Sequence, residues 1–570
     1  MDDGRFMRAP LLIWKFLFAD LVRIGALTAG GLVVVIAFAV SIKFMADGRV
    51  DLAGGIRLMA LAVIPMLQYA LPFAGGFAAT LAYHRLASDN EATAAMSSGV
   101  GHRSLLAPAL GLGVALGVGL LILANVTIPR FLRDMEETVT RDLTGVFVRT
   151  IERGESVRLG DWIVHAERVV RAGPDPSVGA LDRLRLVNVL AVQLDSGGKA
   201  QGSVGAAEVD VWLFDEESSE EPASVAQFVF RGYSAEGTAD SFRGEQGASQ
   251  RIRIPSAFVD DPKFFTYSEL RELRERPERI NKIDSLRRRL ALRLDQARLL
   301  TDVRDRLVSE GRVVLDRGAG ERVIVYASGI APEGDRWTLI PPVASTPRAG
   351  ATPRPIRIDN ELESGSVYVH NAQSAYLTLE TPGEEGAALN SRAGLRLTAL
   401  NVATTDEQLR TAPTIRERVI LTNLAPLLPD AQSALALSVR DLQKLAVEKQ
   451  GQADAVNMRA PIFDAYRRLR DRVDSMQREI TSKENERAAY SVASIATMLC
   501  GSIVALRRQY SLPLPVFLWS FFPALGAVIT ISAGGNLTHK AGPGGLVLLW
   551  GGVACLIGYT ILEYTRYRRH

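Results

Sequence analysis

The residues best placed to do work in this chain are an arginine and two acids set close together: Arg85, Asp89 and Glu91, within the segment YHRLASDNEATAAMSSGVGHRS at 83–104. A carboxylate in the first turn of a short helix is favoured by the helix dipole and stays free to meet a basic pocket on another protein. Ser88 suits the N-cap and Gly99 the stop, which predicts a short amphipathic helix over about 88–99. No pattern for covalent, phosphate or metal chemistry accompanies it: there is no Walker A sequence, HExxH or nucleophile elbow. The six histidines are scattered, with His165 and His370 in predicted strands and read as structural. No catalytic residue, no metal site and no cofactor are therefore expected. Energy for any work must come from another subunit.

The elements that would position this segment are six apolar runs, at about 26–45, 58–82, 105–128, 489–506, 514–532 and 544–562. Each is long enough to cross ~30 Å of hydrocarbon as a helix. They fall three and three around a long polar stretch, so the expected fold class is a membrane α-helical protein with six transmembrane helices in a 3+3 arrangement. Into it is inserted an extramembrane region that is β-rich and jellyroll-like, plus α-helical.

Orientation follows from the basic residues near the ends of the runs, which are held on the cytoplasmic side. Arg5, Arg8, Lys15 and Arg23 precede or open the first run, and His84, Arg85, His102 and Arg103 follow the second. Arg507 and Arg508 follow the fourth, and Arg566, Arg568 and Arg569 follow the last. The loop at 46–57 instead mixes Arg49 and Arg57 with Asp47 and Asp51, and the loop at 533–543 has only His539 and Lys540. Both termini are thus expected in the cytoplasm and residues 129–488 on the far side, the periplasm in a bacterium. Lys43 near the outer end of the first run suits a retained anchor rather than a cleaved signal.

A hydrophobic fraction of 47% with a mean hydropathy of +0.09 is what membrane spans averaged with a large soluble part give. A net charge of +3 gives no support to nucleic-acid binding. The two cysteines, Cys500 and Cys555, fall inside predicted spans, so the external part has neither a disulfide framework nor a cysteine zinc site.

Six regions follow: 1–128 with the first three spans; 129–259, β-rich; 260–311, a charged helical segment; 312–428, a second β-rich unit; 429–488, a helical stalk; and 489–570 with the last three spans. In the first β region Val187, Val189, Ala191 and Gln193 alternate with Asn188, Leu190, Val192 and Leu194, which predicts a strand apolar on both faces. In the stalk, Tyr466, Leu469, Val473, Met476 and Ile480 make one narrow apolar seam leading almost directly into the fourth span.

A leucine-proline pair (Leu71, Pro72) in the second run, then Arg85, Asp89, Asn90, Glu91 and Gly99, resembles the LptF/LptG (YjgP/YjgQ) family of lipopolysaccharide-export permeases. Asn90 stands where that family usually has serine. The first-run ending Ile42-Lys43-Phe44, the approach Glu484, Glu486 and Arg487, the Arg507-Arg508 turn and the Gly/Pro-rich turn before Trp550 extend the resemblance. It implies an inner-membrane permease subunit, not an enzyme, that pairs with a second LptF/LptG-like subunit and couples to a cytoplasmic ABC ATPase dimer, the ATP being bound by that partner. It further implies that lipopolysaccharide or a related lipid is extracted and passed to a periplasmic LptC/LptA-like bridge protein. Glu91, with Asp89 and Arg85, would couple to the ATPase. Lys43, with Arg49 and Arg57, would bind lipid phosphates. The family's jellyroll would correspond to about 143–257, with Trp162 and Val189 in its core, and residues 260–482 are extra to it. A membrane sensor and a mechanotransmission-type permease are alternatives. The first needs a cytoplasmic output domain, and the second has one span before its external domain and three after.

Overall fold

A computed structural model describes residues 11–46, 52–133, 151, 154, 156–159, 162–173, 180, 182–194, 200–216, 223–237, 241–248, 252–253, 262–318, 320–342, 355–363, 365–380, 394–406, 412–426 and 434–569. The chain divides into two compact units: residues 1–147, 257–275 and 474–570 form the first, and residues 148–256 and 276–473 the second.

In the first unit, α1 (Leu11–Ala46), α2 (Leu52–Ser88) and α4 (His102–Ile122) come from the N-terminal part, with the short α3 (Glu91–Ser97) between the latter two. A single π-helical turn, Leu123–Thr127, continues α4. The C-terminal part supplies α8 (Arg459–Arg507), which belongs to this unit from Asp474 onward, α9 (Pro513–Ala541) and α10 (Gly545–Tyr567). Among the described residues, five helices are long and apolar enough to cross a membrane: α1, α4 with its extension, α8, α9 and α10. The second apolar run is also a single helix, α2, but it lies outside that set.

The apolar window of α8 is 83% buried, whereas those of α1, α9 and α10 are 22–28% buried. α8 is therefore the axis around which the others pack. Small residues let them come close: a Cβ on Gly501 of α8 would lie 2.6 Å from the carbonyl of Gly76 and 2.7 Å from the hydroxyl of Thr80, both on α2. Hydroxyls buried along α8, such as Ser491 and Ser502, donate to carbonyls one turn earlier and so are themselves satisfied inside the bundle.

The segment expected as one charged helix over 260–311 is two. α5 (Tyr267–Glu275) lies in the first unit, and α6 (Asn281–Glu310) in the second. Pro277 opens a 3-10 turn between them, because a proline ring is incompatible with continuing the preceding helix.

The second unit holds two antiparallel sheets. In the first, β1 (Val157–Leu159), β2 (Trp162–Arg171), β3 (Asp182–Leu194), β4 (Ala200–Glu216), β5 (Ala223–Gly237) and β6 (Ser241–Ala248) pair each with the next, and β7 (Ile252–Arg253) adds to β5. Leu184, Leu186, Val209 and Val211 share a buried face. In β3, whose sequence is apolar on both faces, the buried face changes at Asn188. Its φ of +50° skips one residue of the ladder, so Leu184 and Leu186 are buried before it and Val189 after it, while Leu190 is 50% exposed. Opposite the apolar face sits Asp210, 2% exposed, with Arg183 at 2.8 Å, Arg185 at 3.0 Å and Arg231 at 3.1 Å. Burial alone would raise its pKa, but the hydrogen bonds from Arg183 and Arg185 outweigh that and hold the carboxyl below the usual range.

In the second sheet, β8 (Arg312–Gly318), β9 (Glu321–Tyr326), β12 (Ile356–Glu361), β13 (Val367–Glu380), β14 (Gly394–Asp406) and β15 (Thr414–Pro426) pair in the ring order β13, β12, β9, β8, β15, β14 and back to β13. The hairpin of β10 (Gly329–Glu333) and β11 (Arg336–Ile340) joins onto β13. Val313, Leu315, Val323, Val325, Ile358, Leu377, Leu397 and Leu421 fill the interior of this closed barrel. Between β8 and β15 the pairs are only Asp316 with Ala425 and Leu315 with Pro426 among the described residues. α6 packs on β8, β10 and β15, and also on α7 (Val439–Glu448). The indole nitrogen of Trp337 donates to the carbonyl of Val456 at 2.9 Å.

Candidate functional site

The helix that carries the acidic residues forms, with a later start than its cap residues predict. α2 runs through Ser88, whose hydroxyl bonds back to the carbonyl of Arg85 at 3.1 Å, so Ser88 closes one helix instead of capping the next. Asn90 makes the joint: its φ of +61° lies in the left-handed region, and its carbonyl accepts from the amide of Ala94. Asparagine adopts that conformation more readily than other residues that carry a Cβ. Gly99, at φ +92°, ends the helix as expected.

One face of α3 is built in and the other is presented. Ala92 is 1% exposed and packs in a cluster with Tyr83, Leu86, Leu105 and Leu506, so α3 rests on α2, α4 and α8. The hydroxyl of Tyr567, at the end of α10, donates to Sδ of Met96 at 3.5 Å and lies 3.2 Å from Nδ1 of His102. Tyr83, fully buried, donates to the carbonyl of Leu105 at 2.9 Å and ties α2 to α4. On the open face, Asp89, Asn90 and Glu91 are all exposed. Arg85 lies 4.0 Å from Asp89 and 3.5 Å from Asp20 of α1, and its guanidinium is 6.0 Å from the ring of Phe16. The structure thus brings Arg85 and Asp89 together and leaves Glu91 projecting from a braced helix.

The three predicted phosphate-binding cations fall elsewhere. Lys43 lies in the last turns of α1 and Arg57 in the first turns of α2, and their side chains are outside the described residues, as is Arg49 altogether.

A polar cluster that the sequence does not mark as a unit sits where α8 meets α5. Arg487, 8% exposed, donates to the carbonyl of Phe265 at 3.0 Å and to Oδ1 of Asn125 at 3.3 Å. Arg274 donates to Glu484 at 3.0 Å, and Arg133 pairs with Glu269 at 2.5 Å. Burial would raise the Glu269 carboxyl, but hydrogen bonds from Arg133 and Thr266 hold it below the usual range. On the same stretch of α8, Lys483 bonds Glu486 at 2.8 Å, Asn485 accepts from Trp550 at 3.0 Å, and Ser482 donates to Gly535 at 2.7 Å. The alternation of charge through 483–487 is the one trace this cluster leaves in the sequence.

Among the described residues no group of acids, histidines and cysteines can hold a metal ion. The arrangement is an exposed acid on a short helix packed against three longer ones. Residues 12–210 match the family model described as lipopolysaccharide export system permease LptF/LptG. No curated protein matches the chain.

Proposed function

Because residues 12–210 match the model of the LptF/LptG permease family, we propose that this chain is the membrane subunit of an ABC-type exporter. In this reading it draws lipopolysaccharide or a related lipid from the inner membrane, powered by a separate cytoplasmic ATPase dimer and paired with a second permease of the same kind. The observation that carries the reading is the pairing of an exposed Glu91 with the buried Ala92 and Ala95 on one short helix. A force applied at the acid passes through packed side chains into α2, α4, α8 and α10, which a loosely tethered loop would absorb.

On this reading α2 is the sixth span, between α1 and α4, and the bundle has three spans on each side of the external region. Its proline and glutamine content is tolerated because the helix is packed among neighbours. Both termini then lie in the cytoplasm, α3 is the coupling helix, and the two sheets are periplasmic. The seven-stranded sheet stands for the family's jellyroll and is the surface that meets a bridge protein of the LptC/LptA kind. The barrel with α6 and α7 is an addition of this chain. Lys43, Arg49 and Arg57 neutralise lipid phosphates at the outer interface.

The test is copurification. The tagged full-length chain is extracted from its native membrane in mild detergent, and bound proteins are identified by mass spectrometry. An ABC ATPase is expected with wild type and lost with Glu91→Arg, while the variant keeps the wild-type elution volume. Wild type that brings down no ATPase removes the proposal.

A further inference from the structure

Beside α3, but not part of it, lies a groove of about 420 Å³ between the last turns of α2 and the turn from α8 to α9. His84, Arg85 and Ser88 line one wall, and Gln509, Tyr510 and Ser511 the other. His84 is 6% exposed, yet its Nδ1 has no hydrogen-bond partner among the described residues. A buried ring nitrogen without a partner, on a residue that lines this mixed polar and apolar groove, is an unfilled donor or acceptor position. Arg85 is already engaged by Asp20 and Asp89. Arg508, next to the groove, stacks over Trp519 at 4.4 Å, and its buried Nε also lacks a partner among the described residues.

The groove opens beside apolar surface. Leu512 is 75% exposed, Leu514 68% and Trp519 51%, all at the start of α9. Tryptophan and tyrosine at a span end mark the level of lipid headgroups, and Tyr510, 93% exposed, sits at that level. The N-terminus of α9, with Pro513 at its first position, adds a partial positive charge there. A single molecule with a phosphate at one end and acyl chains at the other satisfies both halves.

We propose that this groove holds the headgroup of an anionic phospholipid from the membrane leaflet on the α3 side. The phosphate is received by His84, Ser511 and Gln509, and the chains lie along Leu512 and Leu514. Basic pockets between span ends are the usual form of such sites. The proposal rests on the spans of the permease reading but not on its coupling to an ATPase, so either can fail alone. A lipid wedged between α2 and the turn of α8 also sets the position of α3 from behind.

The full-length chain in detergent, saturated with equal amounts of phosphatidylglycerol and phosphatidylcholine, is examined by native mass spectrometry. Wild type is expected to retain phosphatidylglycerol about tenfold over phosphatidylcholine. Ser511→Glu, at an exposed position, and His84→Leu are each expected to abolish that preference. Equal retention of both lipids by wild type, or an unchanged preference in Ser511→Glu, overturns the proposal. Displacement of the lipid by inorganic phosphate assigns the groove to a free anion and overturns it too. Exclusion of phosphatidylglycerol whenever an ATPase is bound identifies the groove as a protein contact and likewise removes the lipid assignment.

Discussion

The guanidinium of Arg487 donates a 3.0 Å hydrogen bond to the main-chain carbonyl of Phe265, 222 positions earlier in the chain. With Arg133 on Glu269 and Arg274 on Glu484, it fastens the segment around α5 to the helical bundle. A charged donor buried this deeply contributes about 2 kcal/mol through such bonds, and more is lost when a partner stays buried and unmet.

Replacing Arg487 by methionine keeps the length and removes the donors. Amide exchange over 262–275 should accelerate at least tenfold while exchange in α9 stays unchanged. Equal protection in variant and wild type would show that α5 is held by other contacts.

Gly501→Val should lower the thermal midpoint by several degrees or reduce the folded yield. Its Cβ would fall within 2.7 Å of both the Gly76 carbonyl and the Thr80 hydroxyl, and overpacking of this kind costs about 1–3 kcal/mol. Gly111, with nothing near the corresponding position, is the control: Gly111→Ala should leave the midpoint within a degree or two.

At the α2–α3 joint, Asn90→Gly should be tolerated and Asn90→Ala should not. A left-handed backbone costs a residue with a Cβ about 1–2 kcal/mol, and glycine escapes that penalty. The readout is amide exchange over 91–97 in the purified chain, with alanine accelerated and glycine near wild type. Identical behaviour of the two variants refutes the joint's role.

Asp210 predicts a pH dependence. Its folded pKa is depressed, so its stabilising contribution is present above the unfolded value, about 3.9, and disappears as pH falls through the folded one. Asp210→Asn should therefore weaken amide protection in β3 and β4 at pH 7, and the gap from wild type should close in the acid range below about pH 4. A gap that persists unchanged into strong acid would contradict the ion-pair explanation.

Much of this is legible in the order of amino acids. The α3 segment can be read because dipole, stop glycine and acids all point the same way, and α8 continues the stalk into its span without a break. The cap is ambiguous because Ser88 and Asn90 are both good cap residues, and only the backbone angle of Asn90 decides between them. The closure of the barrel is hidden for a different reason. Short alternating strands announce a sheet but carry no information on which distant strand completes the circle, here β14 on β13 and β15 on β8. The contacts of Arg487 are equally invisible, since hydrogen bonds to main-chain carbonyls leave no complementary residue type to find.

The seam between β8 and β15 carries a proline where the ring closes. Pro426, paired with Leu315 across that seam, has no amide to contribute to the ladder. A force that spreads the barrel meets one hydrogen-bond donor fewer at that position, and parting there would turn the cylinder into an open, curved sheet with two fresh margins.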